Sequence, residues 1–124
     1  MTNTCKNGCS WFEAVDICQK VDGHLADGPD FNFLRNIAKS HKYTNWWIGF
    51  SDLEKEGTYV RKTDGKAVDL SKYFANGEPS TKDEHCIQMN SEQDMKLNDV
   101  KCEMEEIRKD RYWEKSQPLC QKSI

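Results

Sequence analysis

The chain has no apolar run of about 18 residues, so no segment is long and greasy enough to span a bilayer as a helix. It has no Cys-x-x-Cys pair, only Cys5-x-x-x-Cys9, and His24, His41 and His85 are scattered. That pattern argues against zinc, which needs clustered thiolates and imidazoles. Positive charge is not in excess: 18 Lys and Arg stand against 21 Asp and Glu, a formal net charge of −3. A nucleic-acid binder would carry a basic face, so no nucleic-acid partner is expected. There is no Asn-x-Ser/Thr acceptor, internal repeat, low-complexity tract or coiled-coil heptad. No apolar leader opens the chain, so a secreted form would already have shed its signal. Hydrophobic residues are only 36% of the whole, yet 124 residues fit a single domain, 1–124. Four Trp, four Tyr and five Phe supply the bulk for its core.

What the chain does have is cysteine. Six is an even and high count for this length. A disulfide framework in a secreted or extracellular domain is the expected reading, although the count alone leaves the pairing open.

The pattern of residues then divides the chain. Ser10 with Glu13 makes a capping box, followed by Trp11, Ala14, Val15, Cys18 and Val21 on one helical face. This helix is expected to end near Gly23. Pro29-Asp30 opens a second helix with Phe33, Leu34, Ile37 and Ala38 as its apolar positions, ending near residues 39–41. Trp46-Trp47-Ile48-Gly49-Phe50 reads as a buried strand whose glycine permits close backbone approach. Thr58-Tyr59-Val60 reads as a short strand and Asp64-Gly65 as a turn. Residues 70–100 are polar and turn-rich, and strands are expected at Cys86–Met89 and Leu119–Cys120. Helices followed by strands, without alternation, indicate an α+β domain. A long irregular segment inside it needs something to hold it.

That segment carries the chemistry. Glu78-Pro79-Ser80, Glu84-His85-Cys86 and Asn98-Asp99 bring together carboxylates, a carboxamide and a hydroxyl. Hard oxygen donors without a thiol or imidazole majority suit Ca2+. A calcium ion held on loops also has coordination positions to offer to sugar hydroxyls. No nucleophile–base constellation is apparent, so the protein is not expected to be an enzyme. The three tryptophans Trp11, Trp46 and Trp47 are expected in the core rather than stacked on sugar.

In this order, these pieces resemble the C-type lectin-like domain. Trp47-Ile48-Gly49-Phe50-Ser51-Asp52 through Glu56-Gly57 is similar to that family's core strand and following turn. Gly77-Glu78-Pro79-Ser80 resembles its Glu-Pro-Asn sugar motif, and Glu84, Cys86, Asn98-Asp99 and Cys102 follow in the family's order. The resemblance spans about Trp11 to Cys120. It implies disulfides Cys18–Cys120 and Cys86–Cys102, with Cys5 and Cys9 then left to each other or to another chain. It implies a calcium site made by Glu78, Ser80, Glu84, Asn98 and Asp99. Sugar contacts are expected from Glu78, Ser80, Glu84 and Asn98, with His85 at the edge. A possible auxiliary metal site would use Asp52 and Glu56 together with Glu84, although Thr81 and His85 stand where further acids would sit.

Two departures bear on function. Ser80 replaces the family's usual Asn and is too short to offer the same carbonyl; Leu97 replaces the Trp before Asn-Asp and keeps an apolar contact. Glu first in the motif resembles the mannose-type order. The implied ligands are therefore terminal mannose, fucose or glucose on glycans or glycoproteins, with galactose-type specificity as the alternative. A lectin-like domain that binds protein and has lost sugar binding is the competing reading, kept open by Ser80. Secreted recognition with an innate immune role is what family habit suggests, and oligomers would gain avidity.

Overall fold

The computed structural model describes residues 9–28, 30–40, 45–55, 57–74, 85–90, 95–100, 102 and 116–122. The expected capping box is present: Glu13 N–H donates to Ser10 Oγ, and Ser10 N–H donates to Glu13 Oε1, both at 3.0 Å. It starts α1 (Trp11–Lys20), which buries Trp11, Ala14 and Cys18. Val21, placed on the same face by the sequence pattern, is instead the C-cap residue and lies exposed. Asp30 caps α2 (Phe31–Lys39) by accepting from Phe33 N–H at 3.1 Å.

The buried side of α2 is Phe31, Leu34 and Ala38. At about 3.6 residues per turn these three fall in line. The helix is therefore rotated toward Phe31 relative to the face expected from sequence. Phe33 and Ile37 are left exposed, at 60% and 38%.

Between the helices lies β1 (Gly23–Leu25), where the sequence suggested only a helix end. It pairs antiparallel with β7 (Cys120–Lys122). A Cβ on Gly23 would meet the Gln121 carbonyl oxygen at 2.7 Å, so only glycine lets the strands approach this closely.

The larger sheet is built on β2 (Asn45–Ser51), every residue of which is buried. Its strand order is β3-β2-β4-β5, with β6 attached to β2. Here β3 is Val60–Arg61, β4 Cys86–Asn90, β5 Lys96–Val100 and β6 Ser116–Pro118. The close approach expected at Gly49 is realised. Its N–H donates to Ala26 C=O at 2.8 Å, and a Cβ there would meet the Leu25 oxygen at 2.7 Å.

Three strand expectations shift. The Thr58–Val60 strand forms later, at Val60–Arg61. The final strand divides into β6 and β7 around Leu119, whose N–H reaches Trp47 C=O and whose C=O receives Ala26 N–H. β5 has no counterpart in the sequence reading, because Asn and Asp are poor strand formers. Burial of Leu97 and Val100 and pairing with β4 override that preference.

Two apolar clusters flank the sheet. One holds Phe31, Leu34, Trp46, Ile48, Phe50, Ile87, Met89 and Leu97 among its members. The other gathers Trp11, Cys18, Trp47, Cys86, Cys102 and Cys120. All three expected core tryptophans are buried. Trp11 Nε1–H donates to Ile48 C=O at 2.9 Å, and Trp47 Nε1–H donates to Cys9 C=O at 2.7 Å. These two indole N–H groups are thus met by backbone.

Both disulfides implied by the resemblance are formed: Cys18–Cys120 with 5.4 Å between Cα atoms, and Cys86–Cys102 with 5.2 Å. Cys9 is also disulfide-bonded. Cys5 lies outside the described residues, so its pairing with Cys9 stays an expectation. Two helices packed on sheets that are antiparallel except for the parallel β2–β6 pair make an α+β fold.

Candidate cation and sugar site

The described half of the site is built on β5. Register sets Asn98 opposite Gln88 and Asp99 opposite Ile87 on β4. β5 lies at the edge of the larger sheet, and on its outer side Leu97 N–H donates to Tyr73 C=O at 2.8 Å. Leu97 is buried in the core, so the residue that replaces the family's usual Trp keeps the packing role. The Cys86–Cys102 disulfide and the hydrogen bond from Trp11 N–H to Cys102 C=O anchor the end of this hairpin to α1. The backbone under Asn98 and Asp99 is therefore pinned from three sides: by β4, by Tyr73 and by the disulfide.

The side chains there are unusual for an interior. Asp99 is almost completely buried. Asn98 Oδ1 is buried and accepts no hydrogen bond. Opposite it, Gln88 is fully buried; its Oε1 accepts from Ser116 Oγ, while its Nε2 has no hydrogen-bond partner. Buried polar atoms in native proteins are nearly always paired, so an unpaired one calls for an explanation, of which a bound water or ion is one. An amide oxygen beside a buried carboxylate is a donor set that fits a hard cation. Asn98 Oδ1 and the Asp99 carboxylate are the described oxygen donors on which the expected calcium set would draw. Glu78, Ser80 and Glu84, the other expected ligands, lie outside the described residues, as does Glu56.

Asp52 and His85 meet each other. His85 Nδ1 lies 2.9 Å from Asp52 Oδ1. Asp52 Oδ2 accepts from Gly57 N–H at 2.9 Å, and Asp52 N–H donates to His85 C=O, also at 2.9 Å. The Asp52 side chain is 0% exposed and that of His85 32%. With Nδ1 engaged, Nε2 is the His85 nitrogen left for a ligand. Neither this pairing nor the role of Gln88 was foreseen from sequence. The only signal for the first was an acid after the core strand and a His just before Cys86.

A second polar cluster, also missed by the sequence reading, ties β1 to β7. Asp27 Oδ2 accepts from Thr63 Oγ1 at 2.8 Å, and His24 Nε2 lies 3.4 Å from Asp27 Oδ1. Gln121 completes it, accepting from Asp27 N–H and donating to Gly28 C=O. The carboxylate stands between the imidazole and the hydroxyl. The hydroxyl therefore donates to a carboxylate and not to an imidazole, so the cluster lacks the hydroxyl–imidazole–carboxylate order of a triad and acts as a brace.

Comparison with known proteins decides the family. The family model described as Lectin C-type domain matches residues 7–107. The chain belongs to the C-type lectin domain family. A C-type lectin domain family 4 member M from Symphalangus syndactylus is 30% identical over 131 residues, covering 100% of this chain and 26% of that protein. This C-type lectin domain thus spans about a quarter of that relative's length. A perlucin-like protein from Mytilus galloprovincialis is 28% identical over 107 residues, 82% of this chain and 68% of that protein. Among solved structures, TC14, a C-type lectin from the tunicate Polyandrocarpa misakiensis, superposes with a TM-score of 0.69. It shares 19% identity over 84% of this chain and 89% of its own, a likeness of fold. The cow CD23 carbohydrate-recognition domain, solved in the presence of a GlcNAc2Man3 oligosaccharide, gives a TM-score of 0.64. It is 25% identical over 82% of this chain and 74% of its own.

Proposed function

We propose that this C-type lectin domain binds carbohydrate through a calcium ion, without catalysis. The observation that carries the reading is the buried, unpaired Asn98 Oδ1 next to buried Asp99, on the strand where the family resemblance places two ligands. Glu78, Ser80 and Glu84 would complete the protein's share of the shell. When bound, calcium supplies open coordination positions for two neighbouring sugar hydroxyls.

The chain's own residues do the rest. β4 and the Cys86–Cys102 disulfide hold Asn98 and Asp99 in place before any ligand arrives, which lowers the ordering cost of binding. Glu78, Glu84 and Asn98 would each meet a sugar hydroxyl with a hydrogen bond as well as ligating the ion. His85 would stand at the rim with Nε2. Ser80, being shorter than Asn, contributes its hydroxyl or a bridging water and makes the shell weaker than the family's usual one. The Glu-first order favours mannose, fucose or glucose over galactose. Disulfides of this kind persist in oxidising compartments and support extracellular action on glycans or glycoproteins.

The test is a mannose column loaded in calcium and eluted with chelator, with calcium-dependent melting measured in parallel. Retention and a calcium-induced rise in Tm support the reading, since a ion that binds only the folded state stabilises it. Flow-through on both mannose and galactose resins, with no rise in Tm, would replace it with the protein-binding reading.

A further inference from the structure

The expectation of a second, auxiliary cation near Asp52 and Glu56 meets an obstacle in the structure. A calcium ligand needs an oxygen with a free approach at about 2.3–2.6 Å. Asp52 offers none. One oxygen takes Gly57 N–H at 2.9 Å, the other faces His85 Nδ1 at 2.9 Å, and the side chain has no exposed surface. Gly57 holds φ at +83°, a conformation that favours glycine and aims its N–H at the carboxylate. The imidazole approaches from the chain segment where the family's further acid would sit. For a cation to reach Oδ1, the ring would have to swing away and leave its own N–H unmatched.

We infer that His85 does the work of the auxiliary cation from inside the protein. Its ring N–H meets the buried Asp52 carboxylate, so no second calcium is taken up. The pair is doubled by the backbone: Asp52 N–H donates to His85 C=O at 2.9 Å. Together the two contacts tie the end of β2 to the start of β4, directly after Glu84 in the chain. His85 is thus a positioning residue for the start of β4. This tie is built in and independent of calcium. This inference rests on the proposed function only for the principal ion.

The experiment is calcium titration by calorimetry of the whole chain, with His85→Asn, His85→Ala and His85→Asp beside it. Wild type should bind a single ion. His85→Asn keeps an N–H donor near the place of Nδ1, and should also bind a single ion. His85→Asp sets a second carboxylate against Asp52 and should take up an additional ion with a Kd of about 10⁻⁴–10⁻³ M. Two ions on wild type would overturn the inference and leave the proposed function intact. So would a His85→Asp variant that binds no more calcium than wild type.

If wild type binds none, the proposed function falls, and melting in chelator decides the inference alone. There His85→Ala should lower Tm by about 4 °C, and His85→Asn should recover most of that loss. Equal Tm values for wild type and His85→Ala in chelator would overturn the inference.

Discussion

The two ends of the sheet treat buried polar groups in opposite ways. Around α1 and β2, three prominent ones are met within the protein. Trp11 and Trp47 donate to backbone carbonyls, and Asp52 has an N–H on each oxygen. On the β4–β5 hairpin, Asn98 Oδ1 and Gln88 Nε2 are left unmet. The same backbone rigidity serves both regions, so the difference is one of purpose. The first region is complete as folded. The second holds polar atoms without a partner at a cost of about 1–3 kcal/mol for each unsatisfied group, and a bound cation would offset that cost at Asn98 Oδ1.

Removing the covalent frame should separate the two regions most sharply. Cys18→Ala with Cys120→Ala opens a loop of sequence separation 102 and should cost about 5 kcal/mol in urea unfolding; Cys86→Ala with Cys102→Ala, at separation 16, should cost about 3 kcal/mol. Calcium-dependent stabilisation should survive in the first pair, where the protein still folds, and weaken in the second. Equal effects of both pairs on calcium binding would erase the distinction.

Gly49→Ala comes next. The added methyl would lie 2.7 Å from the Leu25 oxygen, a backbone atom that cannot easily yield. Overpacking of this kind should cost about 1–3 kcal/mol, read in the same unfolding assay. Trp47→Phe should lose a similar amount, because it removes the buried hydrogen bond from Trp47 Nε1–H to the Cys9 carbonyl.

Asn98→Ala should behave in the contrary way. No hydrogen bond is lost at Oδ1, so stability in chelator should change by less than about 0.5 kcal/mol at that atom's account. Calcium affinity should fall by at least about 10-fold, the loss that removal of even an outer-sphere partner brings. A large loss of calcium-free stability would show that Asn98 belongs to the completed region instead.

The smallest effect is expected at the surface turn after β3. Lys66 N–H, donating to Asp64 at 3.0 Å, holds that carboxyl below its ordinary value of 3.8, and Arg61 adds to the effect. A carboxyl lowered on folding contributes stability that is present above 3.8 and is lost as pH falls through its folded value. Asp64→Asn should therefore slightly flatten the acid limb of the stability profile and leave neutral pH almost unchanged.

Legibility followed the range of the interactions. The capping box of α1, the cap of α2 and the close approach at Gly49 depend on neighbours in sequence or on the absence of a side chain, and were readable. The pairing of Cys18 with Cys120 and of Cys86 with Cys102 came through family resemblance, since six cysteines alone leave it open. The strand β5 was hidden because Asn98 and Asp99 disfavour strands locally and only the pairing with β4 reverses that. The turn of α2 that exposes Phe33 and buries Phe31 was hidden for a similar reason. Both residues are apolar, and only the surface beneath the helix chooses between them.

The amino-acid sequence by itself determined the family, the α+β order, the oxygen-rich character of the candidate site and the residues that cap and cross-link the frame. These are properties of residue type and spacing. Tertiary structure alone decided which polar atoms far apart in the chain find partners. It closed Asp52 with His85 and Gly57, and it left Asn98 Oδ1 buried and open. The physical reason is that hydrogen-bond satisfaction depends on distances between atoms far apart in the chain, and no local pattern encodes them.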